Sequence, residues 1–83
     1  MKGTIVATNH QLGAIVVEMA DHNCMVLETI GRLKAKVGDE IDADLSQLGN
    51  IQVDNLTQGS QTYMVLQTIG VSRNEAIGRM TVL

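Results

Sequence analysis

Side chains that commonly bind metal ions crowd together at one place in the sequence, where Asp21 and His22 stand close to Cys24. One cysteine with one nearby histidine does not give a recognised zinc spacing. We interpret His22, and likewise His10, as solvated residues in polar turns between strands. The chain has a single cysteine, so it forms no internal disulfide. We therefore predict no metal site and no covalent cross-link here.

Carboxylates crowd a second segment, which contains Asp39, Glu40, Asp42 and Asp44. Asp42 and Asp44 would share one strand face, an arrangement that a hard cation could use. The spacing of an EF-hand loop is absent, and an exposed acidic face that discourages edge pairing is the simpler interpretation. The sequence also lacks a phosphate-binding glycine loop, a Ser-His-Asp order and a helical His-Glu motif. We predict that the protein is not an enzyme and holds no cofactor.

Basic side chains cluster at Arg32, Lys34 and Lys36. Together with Lys2, they are the candidate contacts for nucleic acid or for an acidic partner. The alternative is a solvated loop whose charge is balanced by the nearby acids. The net charge of −3 gives no general attraction for phosphate or for an anionic membrane. The longest apolar run, 14–17, is far too short to span a bilayer, so we predict no membrane association.

The elements that would position these residues are mainly strands, because the hydrophobic period is short through most of the chain. Six strands are predicted, over 4–8, 14–18, 24–29, 40–45, 51–56 and 62–69. Ser72 to Glu75 fits a capping box, which predicts a short helix over 73–80. The 83 residues suffice for one domain. We predict an all-β, OB-like small barrel of five to six strands with a short C-terminal helix.

A seven-residue echo links two of the predicted strands. Residues 25–31 read MVLETIG, and residues 64–70 read MVLQTIG. One interpretation is a pair of strands with similar burial and similar exits, and we favour it. The other is a pair of equivalent edge strands that bind a partner.

The opening of the chain carries a family resemblance. Five residues stand at the spacing that begins a cold-shock domain: Lys2, Gly3, Ile5, Asn9 and Gly13. Residues 37–41 are similar to the start of that family's fourth strand, and residues 53–57 to its closing strand. The resemblance covers residues 1–57, and residues 58–83 add a strand and the short helix. It implies a barrel of the OB type.

The departures from that family concern nucleic-acid binding. Cold-shock domains bind single strands through aromatic side chains on their second and third strands. The corresponding segments here, 12–17 and 24–28, contain no aromatic residue, and Ala7 and Thr8 replace a further aromatic pair. Base–aromatic stacking contributes about 1–3 kcal/mol per base, so its loss leaves weak binding at most. No binding residue carries over from the resemblance.

These observations leave two hypotheses for function. The first is a non-catalytic module that binds a protein partner or a second copy of itself, with Tyr63, Met64 and Leu66 as candidate interface residues. It depends on the apolar composition, on five adaptable methionines and on a sixth strand predicted to leave a free edge over 63–69. The alternative is weak single-stranded DNA or RNA binding of the cold-shock type. Since no secretory signal is visible at the N-terminus, we predict a cytoplasmic location.

Overall fold

The computed structural model describes residues 1–29 and 33–81 as six strands and one helix. The elements are β1 (Lys2–Asn9), β2 (Ala14–Met19), β3 (Cys24–Thr29), β4 (Glu40–Ala43), β5 (Gly49–Asn55), β6 (Ser60–Val71) and α1 (Arg73–Thr81). The strands form a closed barrel in the order β1-β2-β3-β6-β5-β4, in which every neighbouring pair is antiparallel. The predicted barrel with a short C-terminal helix is thus confirmed. The sixth strand is part of the wall, between β3 and β5.

The barrel consists of two similar halves, the first half being β1–β3 and the second half β4–β6. Leu27 and Leu66 hold the same place in the seven-residue echo, and they lie opposite each other where β3 pairs with β6. At the other seam, Gly3 of β1 lies opposite Ile41 of β4. Both seams therefore join positions about 39 residues apart, the spacing of the echo. Each half is a three-stranded antiparallel meander.

The interior of the barrel is filled by aliphatic side chains. The largest are Ile5, Ile15, Leu27, Ile41, Leu45 and Leu66, all almost fully buried. Because side chains alternate across a strand, the neighbours of these residues face outward. The two methionines of the echo, Met25 and Met64, are both buried in this interior.

A second apolar cluster lies outside the barrel wall, beneath α1. It joins the outward side chains of β2 and β3 to the inner side of the helix: Ala14, Val16, Cys24, Val26, Ala76 and Met80. The strands β2 and β3 are consequently buried on both faces. This double burial explains why their sequences, AIVV and CMVL, are continuous apolar runs rather than alternating ones.

The helix α1 begins where the capping box predicts. The Ser72 hydroxyl accepts a hydrogen bond from the backbone N–H of Glu75 at 3.2 Å, which satisfies one of the free donors of the first turn. The Arg73 guanidinium donates to the carboxylate of Glu18 on β2 and holds the helix start against the sheet. This contact lowers the pKa of Glu18. No helix in the described residues is long and apolar enough to cross a membrane.

Two early residues, Gly3 and Asn9, fix the local backbone. The Asn9 carboxamide oxygen accepts hydrogen bonds from the backbone N–H groups of Gln11 and Leu12, and so fixes the β1–β2 turn. Gly3 is required by close approach, since a Cβ at this position would lie 2.5 Å from Cγ1 of Val17.

Candidate functional site

The three predicted interface residues do not share a face of the barrel. Tyr63 points outward and its side chain is 73% exposed. Met64 and Leu66 point into the barrel interior and are only 3% and 1% exposed. The placement of Met64 and Leu66 in a protein interface is therefore wrong, because both side chains belong to the interior of the closed barrel. Of the three, only Tyr63 is exposed, and its role in an interface stays a prediction.

The predicted free edge of the sixth strand is also wrong at its centre. Residues Met64 to Leu66 are paired with β3 on one side and with β5 on the other. The strand is long enough to serve both neighbours, since its first part pairs with β5 and its last part with β3. A partner that adds a strand to this edge would have to replace native pairing.

One outer surface of the barrel remains uncovered by α1. It is formed by the outward side chains of β4, β5 and β6, together with Asp44 directly after β4, and we call it the open face. Its members are Asp42, Asp44, Asn50, Gln52, Asp54, Gln61, Tyr63 and Val65. The strand register places Asp42 opposite Asp54, Asp54 opposite Gln61, and Gln52 opposite Tyr63. Tyr63 therefore lies opposite Gln52, with the carboxylate of Asp54 diagonal to it on the neighbouring strand and that of Asp42 one strand further away.

The electrostatics of the open face are dominated by its three aspartates. The N-terminal ammonium of Met1 donates to Oδ1 of Asp42 at 2.9 Å, which lowers the pKa of that carboxyl. Hydrogen bonds from Ser46 lower the pKa of Asp44. Oδ1 of Asp54 is buried and accepts no hydrogen bond from a described residue. Asp44 and Asp54 form no ion pair with any described side chain, so the face keeps negative charge near Tyr63.

The predicted basic contacts are divided between two places. Lys2 lies on β1 opposite Asp42 and helps to lower its pKa, so its charge is directed to the edge of the open face. Lys34 and Lys36 are exposed on the segment that precedes β4. Arg32 lies outside the described residues. Lys2 therefore does not extend the basic segment.

The residues that suggested metal chemistry lie in different surroundings. Cys24 is buried beneath α1, and this burial raises the pKa of its thiol. His22 is exposed in the β2–β3 turn, where its Nδ1 lies 3.7 Å from a carboxylate oxygen of Glu18. Within residues 1–29 and 33–81, no three His, Cys, Asp or Glu side chains are grouped so that they could hold a metal ion.

A buried polar cluster at the mouth of the barrel has no counterpart among the predicted sites. Asp39 is only 6% exposed. Its Oδ2 accepts hydrogen bonds from the carboxamides of Asn55 and Gln58, at 2.9 and 2.7 Å, and from the backbone N–H of Lys36. These donors, with Asn55 contributing most, lower the pKa of Asp39. The cluster fastens the segment before β4 to the β5–β6 turn.

The comparisons with known proteins identify no relative of the chain. Neither models of protein families, nor curated proteins, nor solved structures give a match to the chain. The functional argument therefore depends on the geometry of the open face and of the barrel mouth.

Proposed function

We propose that this chain is a non-catalytic binding module whose open face contacts a protein segment that carries Lys or Arg. The observation that carries the proposal is the position of Tyr63. It is the one aromatic residue of the chain, and it is 73% exposed on the side of the barrel that α1 leaves uncovered. Tyrosine is enriched at protein interfaces, because its rigid ring buries a large area at a low entropic cost.

The surroundings of Tyr63 favour a basic partner. A cation above an aromatic ring is attracted by the ring quadrupole, and a nearby carboxylate adds to that attraction. Asp54 and Asp44 provide such carboxylates, and Gln52 and Gln61 provide hydrogen-bonding groups beside the ring. Two copies meeting through this same face would bring their aspartates together, which disfavours a symmetric dimer.

The proposal is tested by titrating ¹⁵N-labelled protein with a ten-residue peptide of alternating arginine and alanine. An identical peptide with glutamate in place of arginine is the control ligand. We expect amide shifts concentrated at Gln52, Asp54, Gln61 and Tyr63, with the arginine peptide only, and weaker binding as salt rises. Tyr63→Ala should weaken binding by about 5-fold or more, the effect of losing roughly 1 kcal/mol.

The matched control variant is Leu56→Ala, which removes another exposed apolar side chain but lies in the β5–β6 turn outside the open face. It should leave the affinity unchanged. Equal shifts with both peptides, or no effect of Tyr63→Ala, would contradict the proposal. Sedimentation velocity without peptide tests whether the protein binds a second copy of itself instead. Self-association would appear as a mass that rises with protein concentration and that Tyr63→Ala reduces.

The cold-shock resemblance supports a second candidate, weak binding of single-stranded nucleic acid. The observation in its favour is the exposure of Lys34 and Lys36. Against it, the outward side chains of β2 and β3, which that family uses for stacking, are aliphatic here and lie beneath α1. Met25 and Leu27 point into the interior. This candidate therefore ranks below the protein-binding one.

A further inference from the structure

A cavity of about 200 Å³ opens at the mouth of the barrel, separate from the open face. Its floor consists of five interior side chains: Ile5, Ile15, Ile41, Val53 and Met64. All five are buried and apolar. The floor of the cavity therefore favours an apolar group.

The composition of the chain explains why this space is not filled. Small barrels are normally filled by their own interior side chains. This chain has no Phe and no Trp, and its one tyrosine points outward. Among the residues that the structure describes, the interior cluster contains only aliphatic side chains and methionine, and the end near Ile15 and Met64 is open. Voids of this size are few in protein interiors, so this one merits a functional explanation.

The rim of the cavity is polar and carries one charge. Hydroxyl groups come from Thr29, Ser60 and Thr62, and Lys34 is the one charged residue that lines the cavity among the described residues. The nearby carboxylate of Asp39 is not part of the lining, and the carboxamides of Asn55 and Gln58 already bind it. A ligand at the rim would thus lie beside residues that carry hydroxyl groups and beside one lysine.

A short segment covers one side of the opening. Leu33 and Ala35 are partly buried and pack against the interior cluster. The side chain of Gln58 donates to the backbone carbonyl of Lys34 at 3.0 Å, which fixes this segment above the cavity. This backbone contact holds Lys34 at the rim of the cavity.

We propose that the barrel mouth binds a small monocarboxylate with an apolar body of about six to eight carbons, somewhat larger than the benzene that a 150 Å³ apolar cavity accepts. The apolar body lies on the floor formed by residues such as Ile15 and Met64. The carboxylate lies at the rim, where Lys34 supplies the positive charge and the hydroxyl groups supply hydrogen bonds. This site is independent of the open face, so it stands whether or not that face binds a protein.

The test uses benzoate as the probe and benzyl alcohol as its uncharged analogue, with methyl NMR and calorimetry as readouts. Benzoate should shift the methyl signals of Ile15, Val53 and Met64, with a Kd on the order of 1 mM, a modest affinity for so small a ligand. Lys34→Gln should weaken benzoate binding about 3- to 5-fold, the effect of one partly exposed ion pair, and leave benzyl alcohol unchanged. Lys36→Gln is the matched control, because Lys36 does not line the cavity.

Three results would overturn the proposal. They are the absence of shifts at the floor methyls, tighter binding of benzyl alcohol than of benzoate, and equal effects of Lys34→Gln and Lys36→Gln. Ala35→Leu, which fills the opening, should abolish binding of both probes. If that variant does not fold, the two lysine variants still decide the question, since both change exposed side chains.

Discussion

The first and second halves of the barrel are each a three-stranded antiparallel meander, yet their outer faces have different environments. Val26 and Val65 hold the same place in the echo and both point outward. Val26 is fully buried beneath α1, whereas Val65 is only half-buried on the open face. The helix follows β6 along the chain but packs mainly on β2 and β3. One half thus gains a second apolar cluster, and the other retains a surface for contact.

The one difference within the echo has a physical reason. Glu28 and Gln67 hold equivalent positions in the echo, and they lie diagonally across the β3–β6 pair, since Glu28 is directly opposite Val65. Gln67 donates from Nε2 to Oε2 of Glu28 at 3.2 Å. A perfect repeat would place two glutamates at this distance, and like charges on neighbouring strands are destabilising. The difference between Glu28 and Gln67 therefore avoids a repulsion that two identical residues would produce.

The largest effect should come from shortening the two equivalent valines. Val26→Ala should lower the free energy of unfolding by about 2–3 kcal/mol, because it removes buried methyl groups and leaves a cavity under α1. Val65→Ala should cost less than about 1 kcal/mol, since its side chain is only half-buried. Urea unfolding monitored by circular dichroism measures both. Equal losses for the two variants would contradict the account of a covered and an open face.

The next largest effect on stability is expected at Asp39, which lies in the segment between β3 and β4. Asp39 has a folded pKa below its unfolded one, so its contribution to stability is fully present above about pH 4 and is lost as the pH falls through the folded value. Asp39→Asn should therefore destabilise the protein by about 1–3 kcal/mol at pH 7, and the difference from the wild type should shrink toward pH 2. Thermal unfolding across this pH range measures the effect.

The control for that experiment is Glu40→Gln, which changes the exposed carboxylate of the next residue. A surface substitution of this kind should alter stability by no more than about 0.5 kcal/mol. A gap between Asp39→Asn and the wild type that stayed constant from pH 7 to pH 2 would rule out the charged cluster as its source.

The helix cap gives a smaller effect, confined to the covered face. Ser72→Ala should cost about 1 kcal/mol, within the range of about 0.5–2 kcal/mol for N-cap removal. Hydrogen exchange of the amides of 73–80 should accelerate, and protection of β4 and β5 should change less. Ser72→Asp, which retains a capping acceptor, should preserve most of the protection. Unchanged exchange in Ser72→Ala would reject the cap.

Much of the fold was predictable because its signals are local. The strand predicted over 40–45 and the Ser72 cap are each read from a few adjacent residues, and the structure confirms both elements. Alternation alone also places Tyr63 on the face opposite Met64, so grouping the two in one interface overlooked a signal that the sequence contains. Which of these faces is interior depends on pairing with distant strands, and residue spacing does not specify it.

The barrel mouth was unpredictable for a related reason. Asp39 meets Asn55 and Gln58 across 16 and 19 residues of sequence, and no short motif encodes that meeting. The long-range closure of β6 between β3 and β5 likewise follows from register and chain entropy rather than from local preference.

The equivalent pair Glu28 and Gln67 offers a direct test of this argument. Gln67→Glu should cost about 0.2–1 kcal/mol at pH 7, because it places like charges diagonal to each other on neighbouring strands. The loss should shrink as the salt concentration rises, because salt screens the repulsion between exposed charges. Glu28→Gln is the control, since two amides can still hydrogen-bond. Urea unfolding at low and at high salt measures the difference, and a loss independent of salt would argue against repulsion.

The smallest effect is expected for nucleic acid, since neither half offers a stacking surface. The covered face is aliphatic and lies under α1, and the open face has only Tyr63. One stacked base adds about 1–3 kcal/mol. The net charge is −3, so attraction to phosphate depends on the local segment with Lys34 and Lys36. We expect dissociation constants no tighter than about 10⁻⁴–10⁻⁶ M at physiological salt.

Fluorescence anisotropy with labelled oligo-dT and a mixed-sequence RNA measures this binding. The salt dependence should be shallow, with a slope of only roughly −2 on a logarithmic plot, because only two or three phosphate contacts form. Charge reversal by Lys34→Glu and Lys36→Glu should weaken this already weak binding further. Tyr63→Ala serves as the comparison, since it removes the one exposed ring of the open face. Submicromolar binding of either nucleic acid that the lysine reversals abolish would assign the function to the basic segment rather than to the open face. It would make the cold-shock-type hypothesis the leading one.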